Sequence, residues 1–193
     1  MLISRTTRRI LALSLLSVIG CHRRGATPSA VASLPEPARA MRGPTDANIA
    51  AILLAANNTD ISYARLAPSR AQSAEVKQFA ERMLVDHTGV NRLVNDVITR
   101  IGLTPEDNTT SLDFRDESSA KRDILRELEG RAFDTTYIAN EISYHTKLLA
   151  AIDNVLLPSV RSADLRQVLT SVRPAVAAHL THAQQVRASL GLR

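Results

Sequence analysis

The chain of 193 residues has no tryptophan, a single cysteine and only 3% aromatic residues. Each shortage excludes something. With Cys21 alone, no disulfide can form within the chain. Three Phe and three Tyr cannot dominate a core, so the 45% of apolar residues must build it from Leu, Val, Ile and Ala, a composition suited to helix packing. Of the eight prolines, four (Pro28, Pro35, Pro37, Pro44) precede Thr45. No long hydrophobic run exists either. The run over residues 10–19 has ten residues, about half of the roughly 20 that a spanning helix requires. Nucleophile elbows, phosphate loops and Cys/His metal spacings are missing as well.

A genuine excess of charge is also lacking where it would matter. The net charge is +5, but residues 1–44 carry seven Arg and one acid. Residues 45–193 therefore hold 24 − 7 = 17 basic and 19 − 1 = 18 acidic side chains, a balance of −1. The pI near 10 belongs to the amino-terminal part. A nucleic-acid partner, which needs a basic face on the folded domain, is not expected.

What is present begins with Arg5, Arg8 and Arg9 before the apolar run Ile10–Ile19, the n- and h-regions of an export signal. Val18-Ile19-Gly20-Cys21 resembles a bacterial lipobox, which makes Cys21 the expected lipidation residue. The expected partner is thus a membrane reached through the lipid anchor. The address is the periplasm, and the outer membrane is favoured because His22 is not the aspartate of inner-membrane retention. Residues 1–21 read as signal peptide, 22–44 as a Pro-rich tether and 45–193 as the folded domain.

From Thr45 apolar residues recur at steps of three and four, the mark of one helix face. Thr45 or Asp46 caps a first helix that Pro68 ends. A second runs from Ser73 to Ile101, with Val76, Phe79, Met83, His87, Val90, Val94 and Val97 on its stripe. A short helix is predicted near 117–129 after a polar, turn-rich stretch at 103–117. A third long helix covers about 131–157, stopped by Pro158, and a fourth about 162–190, where Pro174 is expected to kink or break it. The expected fold is all-α: a ferritin-like four-helix bundle with a long crossover between the second and third long helices carrying the short extra helix.

Asp60 through Ala67 and the stretch Val76-Lys77-Gln78-Phe79-Ala80-Glu81-Arg82-Met83-Leu84-Val85-Asp86-His87 resemble the domain-of-unknown-function family 4142. Phe133-Asp134, Tyr137, His145, Pro174 and His179-Leu180 are further matches, over roughly 46–190. The resemblance implies an exported bacterial protein with a ferritin-like helical fold. One departure is Ser62, where members commonly carry an acid close to the residue matching Asp60. The resemblance implies no settled activity.

Three histidines, His87, His145 and His179, fall on the apolar stripes near the middle of three helices, and Glu141 lies one turn before His145. They form either a mononuclear divalent-metal site of imidazoles and a carboxylate, or a structural layer in which each histidine bonds a neighbour such as Glu141, Tyr144 or Asn91. A di-iron centre is not expected, because Leu84 and Val176 stand where Glu-x-x-His motifs need Glu, and Asp60 lies close to the end of its helix. Asp86 should face solvent, about 100° round the helix from His87. On these residues alone the expectation is a structural layer in a non-enzymatic envelope module without cofactor, with envelope stress as its suggested setting. That layer should be destabilised by acid and indifferent to chelators.

Overall fold

A computed structural model of the chain describes residues 43–191. The export signal, Cys21 and nearly all of the tether lie outside these residues. Within them the protein is an all-α bundle: α1 (Asp46–Ala64), α2 (Ala67–Arg70), α3 (Ala74–Arg100), α4 (Thr109–Arg126), α5 (Gly130–Ala151), a π-helical turn (Ile152–Leu156), α6 (Leu157–Ser159) and α7 (Ala163–Ser189). Among the described residues no helix is long and apolar enough to cross a membrane.

The helix starts follow from local chemistry. Thr45 caps α1: its hydroxyl accepts from the Asn48 N–H at 3.2 Å, and the Asn48 side chain accepts from the Thr45 N–H in return. Ser73 and Ser162 cap α3 and α7 through their hydroxyls alone, which accept from the N–H groups of Val76 and Leu165. Helix α1 is buried nearly all round, packed between α3 and α4, and its many alanines let those neighbours approach closely. Helices α3 and α7 instead bury one stripe each, and α7 lies against α3 and α5.

Contacts at the two ends fix the direction of each helix. At one end, the start of α1 meets the loop that joins α3 to α4 through Asn48 and the Glu106 carbonyl, and meets the start of α7 through Asp46 and the N–H groups of Arg161 and Ser162. At the other end, the start of α5 meets the start of α3, where the Asp134 carboxylate accepts from the N–H groups of Gln72 and Ser73. Helices α3 and α5 therefore run parallel. The chain must return along the whole bundle between them, and α4, packed on α1, makes that crossing.

Three expectations change. The crossover helix starts at Thr109, well before 117, because Asn108 and Ser111 form a capping box there. Its buried stripe is Ser111, Phe114, Ser118 and Leu125, so two serines hide the period from a hydrophobic reading. Pro158 does not stop the third long helix, which passes through the π turn and ends after Ser159. Pro174 lies inside an unbroken α7, on its exposed face, where water can serve the carbonyl left without a donor.

Candidate metal centre

The α3, α5 and α7 stripes bring His87, His145 and His179 together at mid-bundle. Their ring centroids are 5.7, 5.4 and 5.3 Å apart, and the residues are 2%, 0% and 5% exposed. One nitrogen from each lies within 4.8 Å of the other two, and a second such triad consists of Asp60, Glu141 and His145. The four residues singled out from the sequence, His87, His145, His179 and Glu141, thus share one site.

Asp60 belongs to it too, which corrects the expectation drawn from its place near a helix end. Helix α1 stops one turn beyond Asp60, but α2 carries the chain further along the bundle before α3 begins. Asp60 therefore stands level with His87: its Oδ2 is 3.2 Å from His87 Nε2 and 3.5 Å from His145 Nε2, and the residue is fully buried. The sequence carried a signal for it, since Asp60 continues the α1 stripe from Ala56 to Tyr63 in steps of four and three.

The partners of the imidazoles decide which nitrogen carries hydrogen. Asn57 donates its Nδ2 to the Leu53 carbonyl, so its Oδ1 is an acceptor, and His87 Nδ1–H donates to it at 2.8 Å. His145 Nδ1–H donates to the Glu141 backbone carbonyl at 2.9 Å. His179 Nε2–H donates to Asp86 Oδ2 at 2.8 Å. Each ring thus has one nitrogen fixed by an acceptor outside the cluster. The other nitrogens, His87 Nε2, His145 Nε2 and His179 Nδ1, are buried without a hydrogen-bond partner, as are both oxygens of Asp60 and of Glu141.

Glu141 is an expected partner and bonds His145, through its backbone carbonyl; the other partners differ from the expected ones. Asn91 bonds Asn58 and leaves His87 to Asn57. Tyr144 donates to the Ala56 carbonyl and meets His145 only ring edge to face. Asp86 does turn away from His87, but toward His179 rather than freely into solvent.

Electrostatically the cluster is a hole rich in acceptors. Burial disfavours imidazolium and holds His87 and His145 down at about 4. Burial also pushes the Asp60 carboxyl up to about 6, against the pull of His145, and pushes Glu141 well above its ordinary range, with the Asp60 charge adding to the effect. The ion pairs that these two acids make are to imidazoles, not to Lys or Arg. At neutral pH three lone pairs and the Asp60 carboxylate face one another, and the one proton beside them is the one that Glu141 keeps and turns toward Asp60. A buried set of acceptors is costly until a proton or a cation sits among them.

The donors suit a divalent transition metal. The three imidazoles form one triad and Asp60 reaches two of them, nitrogen and carboxylate donors of the kind found in four-coordinate sites, and the acceptors behind the rings are those that orient metal-ligating histidines. Alkaline-earth ions, which demand six or more oxygens, do not fit. Leu84 and Val176 occupy the places that a second metal of the di-iron type would require.

Residues 31–186 match the model of the family described as Domain of unknown function (DUF4142), and the chain belongs to that family. It matches none of the curated proteins and none of the solved structures compared with it.

Proposed function

We propose that this protein is an exported, lipid-anchored envelope module that binds one divalent transition-metal ion inside its bundle. The ligands are His87 Nε2, His145 Nε2, His179 Nδ1 and an Asp60 oxygen, and Glu141 stands beside them as a protonated neighbour. One observation carries the reading: three imidazoles from three helices, each anchored by an outward acceptor, gather with their other nitrogens bare, and two of these, His87 Nε2 and His145 Nε2, lie 3.2 and 3.5 Å from the buried Asp60 carboxylate. A purely structural layer would be expected to pair those nitrogens with donors. Nitrogen-rich donors favour Zn, Cu, Fe or Mn over Mg or Ca. The closed, buried position suits holding a metal more than turning over a substrate, so the protein is a binder rather than an enzyme. The ferritin-like fold implied by the family resemblance agrees with the crossover. The basic n-region, short h-region and lipobox at Cys21 support the envelope address.

The test is metal analysis of the full chain purified without a histidine tag, together with melting in EDTA. About one equivalent of a transition metal is expected. At a free ion concentration of 100 Kd, binding adds about 2.7 kcal/mol, so chelation should lower Tm by roughly 5–10 °C for a domain of this size. His145→Gln should abolish that response. A metal-free protein with the same Tm in EDTA and in added Zn, Cu, Fe or Mn would leave the structural layer as the correct reading.

A further inference from the structure

His179 is the most exposed of the three histidines, at 5%. Its outward nitrogen rests on Asp86 Oδ2, and the same oxygen accepts from Arg82 Nε at 2.5 Å. The Arg82 side chain is 64% exposed and that of Asp86 24%, so this chain of hydrogen bonds leads from solvent to the buried cluster. Partial burial pushes the Asp86 carboxyl up, but the bonds from Arg82 and His179 outweigh it and keep the group ionised.

Beside this chain lies a cavity that reaches Asn57, Asp86, His87 and His179 and is otherwise walled by aliphatic side chains, among them Val90, Ile152, Val172 and Val176. It offers about 30 Å³, enough for a water-sized molecule or for a swinging ring edge. Its wall includes the start of the π turn at Ile152 and the part of α7 that flanks Pro174, two places where the helical ladder is irregular. The aliphatic walls contain no acceptor that could replace Asp86 for His179 Nε2.

We propose that Asp86 is the positioning residue of the metal site and, with Arg82, the latch on its access route. The inference rests on the metal-binding reading above. Asp86 holds His179 in the tautomer whose Nδ1 is bare and keeps the ring turned inward. With Arg82 fixing the carboxylate, the ring is the inner door of the cavity. When the latch opens, His179 swings into the cavity and the ion passes between solvent and the remaining ligands.

Two measurements on the full chain stripped of metal test this. Nitrogen-15 NMR of apo protein should show His179 as the Nε2–H tautomer, and Asp86→Ala should lose that preference. Titration with Co²⁺ should show a 10–100-fold loss of affinity in Asp86→Ala, the usual effect of removing such a partner. Arg82→Gln keeps the His179 bond and should mainly speed Co²⁺ dissociation several-fold. His182→Gln should match wild type, since His182 is exposed and packs on Phe79. If Asp86→Ala fails to fold, as judged by circular dichroism, Asp86→Asn keeps an acceptor without the charge and should show the same direction of change. Wild-type affinity and rates in both Asp86 variants, or an Nδ1–H tautomer for His179, would overturn the latch while leaving the metal site standing. Wild-type protein that binds no Co²⁺, yet has His179 as the Nε2–H tautomer, would overturn the metal reading and the latch with it.

Discussion

Glu141 is fully buried, has only an imidazole and no Lys or Arg beside it, and faces a second carboxylate, so without metal the folded protein keeps it protonated. An acid whose folded pKa is raised gives stability that is fully present below its unfolded pKa, 4.5, and is lost as pH rises toward the folded value. The histidines act in the opposite sense. With folded values near 4 against 6.5 unfolded, His87 and His145 stabilise above 6.5 and lose that contribution as pH falls toward 4, and His179, also lowered by burial, acts in the same direction. The acid sensitivity expected from the histidines alone is thus opposed by Asp60 and Glu141. Glu141→Gln isolates one side of this balance. In EDTA the variant should melt close to wild type at pH 4.5 and progressively higher above it, because the wild type loses up to about 1.4 kcal/mol per pH unit until the folded carboxyl ionises. Equal Tm differences at pH 5 and pH 8 would mean that Glu141 is not held protonated.

Two aspartates that are not in the site hold the elements that carry it. Asp134, at 2% exposure in the first turns of α5, accepts from the two N–H groups that open α3, at 3.1 and 2.9 Å. Asp46 does the same for α7 from the first turn of α1, at 2.8 and 2.9 Å. Each carboxylate also sits near the positive end of a helix. Because α3 carries His87, its axial position relative to α5 sets the spacing of His87 and His145. Asp134→Ala should lower stability by about 2–3 kcal/mol, since it leaves two N–H groups without their charged acceptor, and should lower Tm by roughly 5–10 °C. Thermal melts followed by circular dichroism measure it, and an unchanged Tm would show that water replaces the carboxylate without loss. The same variant should bind metal more weakly, as the height of α3 becomes less well defined.

For the whole molecule, the amino-terminal 44 residues supply the net positive charge and carry the proposed address, while the bundle carries the candidate site. Cys21→Ala should leave the precursor uncleaved or release the protein from the membrane fraction, with the metal content of the bundle unchanged. Mass spectrometry that finds an unmodified residue 21 in the native protein would reject the anchor. The sequence by itself determined the four long helices, because apolar steps of three and four and the caps at Thr45, Ser73 and Ser162 are local signals, and it determined the long crossover, because some thirty residues separate the second and third stripes. It also placed His87, His145, His179 and Glu141 at one level, since mid-helix residues are level whichever way the helices run. Only the tertiary structure decided the rest. Asp60 enters the cluster because α2 offsets α1 against α3, a shift no periodicity records. Asn57 and Asp86 face their histidines across helix interfaces, so the bare nitrogens, and with them the chemistry of the site, exist only once the helices have packed.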